Sequence, residues 1–523
     1  MSDSTALPSA AESVRSPRAI AAALSDNAVL AIVTGFALLF HALAIRNYGF
    51  FRDELYYIAC SRHLAWGYID QPPLVAVVAW ISRHLFGNSL IGIRVFPALA
   101  GAAAVLLAGL FARSLGGGRF AQFLASCAVL LAPACLAFTG FYSMNAFEPL
   151  FWLGCAWIAV RIIQGTSPRL WILFGLIAGA GIENKHTMIV FGFALACGLI
   201  FSGNYHLFKS PWIWLGAVLA FLIFLPNLRW EVAHGFPQFE VVRNAQLYKN
   251  EPTGPGRFIF DQALFVQPIT FLLCLGGLVW LFFSKQGKRY SFLAWCYFVV
   301  LAVFIVLDGK SYYVVPIYPI LIAAGAVAFE DVVRRRALRT AFVALLVIGG
   351  LVALPLGLPI LPVNVFLRYL KIVPYGRVQT ERDATVALPQ LYADMFGWEN
   401  LAKQVALVYD SLPPDERANC AIAAGNYGEA GAIDYYGPSL GLPPAISGHN
   451  SYYDWGPRNY SGSCVILVGE RSNELIQYFG DVSLATKVAN PHGMPTERNV
   501  PVYICRKPVA PLKELWPHFR MII

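Results

Sequence analysis

An aspartate and a glutamate stand side by side at Asp53-Glu54, within Tyr48-Gly-Phe-Phe-Arg-Asp-Glu-Leu-Tyr-Tyr, just past a long apolar run. Carboxylates this close to hydrocarbon are costly and usually have a task. An adjacent pair suits general-base work, in which a carboxylate takes a proton from a hydroxyl within hydrogen-bond reach. It also suits a divalent cation, but no further ligand set accompanies it, so no metal or other cofactor is assigned. The plain alternative is a solvated pair neutralised by Arg52 or Arg62. Asp70 follows in Gly67-Tyr-Ile-Asp-Gln-Pro-Pro-Leu, and Glu148 in Phe147-Glu-Pro-Leu, where an acid at a helix N-terminus is favoured by the helix dipole. Lys185 stands in Glu183-Asn-Lys-His-Thr, and Lys310 in Asp308-Gly-Lys-Ser-Tyr-Tyr, three residues before Tyr313. Two lysines with neighbouring hydroxyls could hold a phosphate through charge-assisted bonds; snorkelling to lipid head groups is the alternative. The segment 229–258 adds Arg229, Arg243 and Lys249, with Arg257 near its end.

Those residues are positioned by an unusually apolar chain. Of 523 residues, 57% are hydrophobic and only 13% charged, about half the charged share of a soluble protein. A soluble fold of this length could not cover its surface with so few charges, and disorder is excluded on the same ground. The chain reads as an α-helical polytopic membrane protein. After Ala28–Ile45, apolar runs fall at 91–112, 120–139, 146–163, 170–183, 187–202, 211–228, 259–283, 290–307, 312–329 and 340–360, giving about eleven spans near the ~20 residues that cross a bilayer. The stretch 72–86 is too short to cross and is read as a juxtamembrane helix.

Charge orients the spans. Residues 1–384 carry 29 Lys and Arg against 17 Asp and Glu, whereas residues 385–523 carry 10 against 13. With 72–86 off the count of spans, alternate loops gather 12 cations, from Arg113 to Arg339, against only Glu330 and Asp331. That is the bias of cytoplasmic loops. It predicts a cytoplasmic N-terminal tail (1–27), a transmembrane domain (28–360), a linker (361–390) and an extracytoplasmic α/β domain (391–523). The cations are scattered and form no patch for nucleic acid.

Within the last domain, strands are predicted at Cys420–Ala424, Cys464–Val468, Leu484–Val488 and Pro501–Cys505, and helices at 395–409, 427–436 and 472–479. One disulfide among Cys420, Cys464 and Cys505 is compatible with an oxidising compartment; most of the other cysteines lie in apolar runs. Ala424-Gly-Asn-Tyr-Gly-Glu-Ala-Gly lacks a dinucleotide fingerprint and reads as turn chemistry. Gly116-Gly-Gly-Arg lacks the Lys-Ser/Thr of a phosphate loop.

Across roughly residues 35–330 the chain resembles the GT-C membrane glycosyltransferases of glycosyltransferase family 39, the protein O-mannosyltransferase and lipid A aminoarabinose transferase type. The resemblance rests on Asp53-Glu54, on Tyr68-x-Asp70-x-Pro72-Pro73-Leu74, on Glu148-Pro149-Leu150, on Lys185, and on Lys310 with Tyr313 ahead of Pro316. It implies a polyprenyl-phosphate-linked sugar as donor and a reaction on the extracytoplasmic face of the inner membrane. Asp53, with Glu54 beside it, would match the catalytic carboxylate, which deprotonates the acceptor for inverting attack. Lys185 and Tyr313 would match the contacts to the lipid phosphate, assisted by Lys310 and Arg257, with Asp70 and Glu148 also on the substrate side. Gln71 departs from both named branches and Glu148 from the aminoarabinose branch, so neither named activity is implied.

The leading expectation is therefore transfer of a sugar to an envelope acceptor, whether lipid A, another glycan or a protein. The alternative from another class is a transporter or flippase of an amphipathic lipid-linked substrate. Repeated halves and several intramembrane charges would favour that alternative; the sequence has no internal repeat, and its unusual charges gather on one side. A third reading, an anchored envelope assembly protein, would leave Asp53 and Lys185 incidental.

Overall fold

A computed structural model describes residues 17–373, 381–382, 387–469 and 472–523. Residues 1–16 of the expected cytoplasmic tail, including Arg15, and part of the expected linker lie outside the described residues.

Every apolar run of the sequence forms a helix or a pair of helices. Among the described residues seven are long and apolar enough to cross a membrane singly: Asn27–Ala44, Leu90–Ser114, Met144–Ile163, Pro211–Ala233, Gly287–Val306, Ser311–Val332 and Arg336–Gly357. Two runs are broken by proline, which removes a backbone donor and stops a helix from continuing. Arg119–Leu130 and Pro133–Thr139 meet at 62°, and Pro255–Val266 and Pro268–Phe283 at 108°, bringing the count to nine if each pair is one span. The run expected at 259–283 as one element is thus two helices. Leu170–Asn184 and Thr187–Phe201 have 15 residues each, or about 22 Å at 1.5 Å per residue. Such a helix is shorter than the ~30 Å hydrocarbon core. The chain has the character of a multi-span membrane protein.

Close backbone contact packs one of the short helices against a long one. A Cβ on Gly175 would lie 2.1 Å from the Gly216 carbonyl oxygen, and one on Gly216 would lie 2.2 Å from that of Trp171. Only glycine lets Leu170–Asn184 approach Pro211–Ala233 this closely, as small residues do between membrane helices. Lys185 caps the first of these helices.

The C-terminal domain holds a five-stranded sheet in the order β2-β1-β3-β5-β4. Its strands are β1 (Cys420–Ala424), β2 (Ile446–Ser447), β3 (Cys464–Val468), β4 (Phe479–Ala489) and β5 (Asn499–Pro508). β1 runs parallel to β2 and β3, while β5 is antiparallel to β3 and β4. Cys420 and Cys464, register partners on β1 and β3, form a disulfide, and Cys505 on β5 stays free and buried. β1 leads into helix Tyr427–Tyr436, whose first turn is closed by a reciprocal cap between Asn426 and Glu429.

That helix lies against Arg52–Cys60, the short helix that follows the first apolar helix. A Cβ on Gly431 would meet the Leu55 backbone at 3.0 Å, and one on Gly428 the Arg52 Cγ at 2.5 Å. Leu55, Tyr56 and Ile58 share one apolar core with Ile422, Ala430, Ile433 and Ile466. The expected linker contributes helix Val363–Ile372, whose Phe366 ring packs edge-on against Tyr392 at 4.9 Å.

Candidate active site

Asp53 and Glu54 sit on the first turn of helix Arg52–Cys60 and face opposite surroundings. Glu54 is buried. Its Oε1 accepts from Arg94 Nε (2.9 Å) and Tyr142 N (2.8 Å), and its Oε2 from Arg94 Nη2 (2.8 Å) and Phe51 N (2.8 Å). Arg94 reaches in from helix Leu90–Ser114 and also donates to the Gly49 carbonyl. Glu54, expected beside Asp53 as a catalytic carboxylate, is instead committed to holding the start of its helix against a span, with both oxygens occupied.

Asp53 keeps 28% of its side chain exposed. Its Oδ1 accepts from the Tyr427 hydroxyl at 2.9 Å, with Arg52 Nε at 3.7 Å. Arg52 lies over the Tyr427 ring and between two acids, since its Nη2 is 3.7 Å from Asp394. Burial raises the Asp394 carboxyl to about 6 despite Arg52. Asp70 is held on both oxygens: Oδ1 accepts from Tyr56 (2.7 Å) and Oδ2 from Asn450 Nδ2 (3.1 Å). Burial likewise lifts it to about 6.

A cation cluster adjoins these acids. Lys310 Nζ is 3.0 Å and Lys249 Nζ 3.7 Å from Glu381 Oε1, and Glu381 is itself bridged to Asn250 in antiparallel fashion. Burial would raise the Glu381 carboxyl, but Lys249, Lys310 and Arg52 outweigh it and hold the group well below its ordinary range. Burial lowers Lys249 in spite of Glu381; for Lys310 the closer carboxylate prevails and the shift is upward. An open cleft of ≈ 150 Å³, lined among others by Gln246, Asn250, Thr253, Lys310 and Ser311, lies beside this cluster.

Lys185 is held from three directions. Its ammonium donates to Asn145 Oδ1 (2.7 Å) and Glu148 Oε2 (3.0 Å) and lies 4.5 Å from the Tyr313 ring centre. Thr187 donates to the other Glu148 oxygen. Glu148, Lys185 and Tyr313 are thus brought together. Arg257 does not join them. Its Nε pairs with Asp261 at 2.7 Å one helical turn on, with 54% of the side chain exposed.

Several site residues escaped sequence reasoning. Lys249 was visible as a loop cation and Arg52 as a neutraliser, without a role for either. Tyr427 stands in the glycine-rich segment after β1 that reads as turn chemistry, and Glu381 and Asp394 carry no local signal at all. Among the described residues no group of three or more His, Cys, Asp or Glu could hold a metal ion.

Residues 70–230 match the family model of dolichyl-phosphate-mannose-protein mannosyltransferase. The chain also superposes on ArnT from Cupriavidus metallidurans bound to undecaprenyl phosphate, with TM-score 0.55 and 15% identity, over 90% of this chain and 97% of that one. The fold is that of a GT-C glycosyltransferase. ArnT in its apo state gives TM-score 0.54 at 15% identity, over 93% of this chain and 98% of that one. An Archaeoglobus fulgidus oligosaccharyltransferase tethered to an acceptor peptide is more distant, with TM-score 0.47 and 13% identity over 79% and 63% of the two chains. No curated protein sequence matches. The family model spans Asp70, Glu148 and Lys185, whereas Asp53, Lys310 and the C-terminal residues of the site lie outside it.

Proposed function

We propose that the protein transfers a sugar from a polyprenyl-phosphate donor to an envelope acceptor (lipid A, another glycan or a protein), with inversion at the anomeric carbon. The observation that carries this reading is a partly exposed carboxylate, Asp53, that lies beside Arg52 and interacts electrostatically with Lys249. The GT-C fold and the undecaprenyl phosphate bound to ArnT support it. The acceptor hydroxyl gives its proton to Asp53 while its oxygen bonds to the anomeric carbon. The bond from that carbon to phosphate breaks, and the phosphate leaves with the electron pair. Fixed cations are most useful where such charge develops; Lys185, Lys310 and Lys249 are the candidates, with Tyr313 beside Lys185. Asp70 and Glu148 act on the substrate side through the groups they orient.

In this reading the N-terminus is cytoplasmic, the C-terminal domain is extracytoplasmic, and the reaction runs on the outer face of the inner membrane. Cation-rich loops on the opposite side support that orientation. The disulfide of the C-terminal domain is the chemistry of an oxidising compartment.

The test is Asp53→Asn, which should abolish transfer while undecaprenyl phosphate still binds the purified protein. Mass spectra of envelope glycolipids and glycoproteins would lose the same species in a strain carrying this variant as in a deletion strain. Wild-type transfer by Asp53→Asn would remove Asp53 from the mechanism.

A further inference from the structure

We infer that Tyr427 of the C-terminal domain is a positioning residue for Asp53: its hydroxyl fixes Oδ1 and so presents Oδ2 to the acceptor. The inference rests on the reading of Asp53 as the base.

A carboxylate on a short side chain turns freely about its last bond unless something holds one oxygen. At Asp53 the holder is Tyr427, 2.9 Å from Oδ1. Arg52 Nε, at 3.7 Å, is beyond hydrogen-bond range and supplies only attraction. Among the described residues Oδ2 accepts no hydrogen bond, which leaves it open toward solvent. Tyr427 is itself rigid. Its ring stacks on Tyr56 at 4.7 Å, lies 4.7 Å from the His449 ring, and carries the Arg52 guanidinium 5.5 Å above it. Its backbone N–H donates to His449 Nδ1 at 3.3 Å, at the capped start of its helix. Burial drives the phenol well above its ordinary range, so it donates its proton to the carboxylate and does not ionise.

The neighbouring acid shows the difference. Each oxygen of Asp70 already accepts a hydrogen bond, one from Tyr56 and one from the C-terminal domain's Asn450. Asp53 receives one bond and keeps one oxygen free, as a group must that takes a proton within hydrogen-bond reach. The step balances: the acceptor proton passes to Oδ2 as the new glycosidic bond forms and the anomeric carbon–phosphate bond breaks. The C-terminal domain thereby takes part in the reaction centre.

The experiment uses the full chain in detergent with Tyr427→Phe, which keeps the ring and its stacking and deletes the hydroxyl. Turnover is followed by mass spectrometry on polyprenyl-phosphate sugars extracted from the host envelope, and donor-site affinity is measured with undecaprenyl phosphate. The expected result is a fall in kcat of about tenfold, with undecaprenyl phosphate affinity and Tm unchanged. The acid limb of the pH–rate profile should move upward, because a donated bond favours the ionised carboxylate. Arg52, Tyr57, Asp70, Lys249, Tyr312 and Asp394 also act on Asp53 and remain in place in the variant. Wild-type kcat and pH profile in Tyr427→Phe, with Asp53→Asn inactive, would overturn the inference and leave the base reading standing. Active Asp53→Asn would overturn the base reading instead. A further arm covers instability: if Tyr427→Phe lowers Tm or lipid affinity as much in the Asp53→Asn background as in the wild type, Tyr427 is structural and the inference fails.

Discussion

Glu54→Gln separates an anchor from a reacting group. The substitution keeps the shape of the side chain and removes its charge, leaving the Arg94 guanidinium, 1% exposed, without its counter-ion. It also replaces one acceptor oxygen by an amide nitrogen that must face two donors, because each Glu54 oxygen takes one bond from Arg94 and one from a backbone N–H. Removing one partner of a buried pair costs about 3–5 kcal/mol, a large part of the ~5–15 kcal/mol that separates a folded protein from its unfolded chain. Denaturant or thermal unfolding in detergent should register that loss. Turnover per folded molecule should stay within about threefold of wild type, since neither Glu54 oxygen faces the open side of the helix. Arg94→Met added to Glu54→Gln should recover part of the loss by removing the stranded charge. A Glu54→Gln protein of undiminished stability with abolished turnover would refute the assignment and return Glu54 to the chemistry.

Lys185→Ala should weaken undecaprenyl phosphate binding at least tenfold; unchanged affinity would make the lysine a counter-ion for Glu148 alone. Glu381→Gln should tighten that binding severalfold, because the carboxylate now neutralises Lys249 and Lys310, and weaker binding would show that it orders the lysines for the ligand. Replacing Cys420 and Cys464 by serine removes a bridge across 44 residues of sequence, worth up to about 4 kcal/mol in the chain-entropy model, so Tm should fall; an unchanged Tm would deny the bridge a part in stability. Asp70 has its carboxyl raised from 3.8 to about 6, so between those values the folded protein keeps a proton that the unfolded chain has released. Stability should decline as pH rises through that window, and the decline from pH 4 to 7 should be shallower in Asp70→Asn; equal slopes would assign the pH dependence to other groups.

The sequence shows most clearly what one stretch of chain decides for itself. Apolar runs of bilayer length become helices, and the charges at their ends stand out because they are costly there. β1, β3 and helix Tyr427–Tyr436 appear with the bounds expected from their own residues. β2, only Ile446–Ser447, has no such signal and exists by pairing with β1. The helix expected at 472–479 stops at Leu475 because the chain joins β4 from Phe479, which runs five residues ahead of the expected strand start. Pairing with β5 outweighs the local pattern there. The site divides in the same way. Asp53, Lys185 and Lys310 announce themselves as charges in expensive places. Glu54 looks equivalent to Asp53 until Arg94, 40 residues on at the head of an apolar helix, takes both its oxygens. Tyr427 meets Asp53, and Glu381 meets Lys249 and Lys310, across long stretches of chain, which local spacing does not encode.

The hydrogen bond between Asp53 and Tyr427 joins residues 374 positions apart. At roughly 5–20 residues per second of synthesis, the ribosome makes the second partner about 20–75 s after the first. For most of that interval Leu55, Tyr56 and Ile58 lack Ile422, Ile433 and Ile466, the C-terminal part of the core they later share. A nascent chain therefore carries a partly uncovered aromatic and aliphatic face just after its first apolar helix for most of its biogenesis, and truncated products should be the species that quality-control proteases capture.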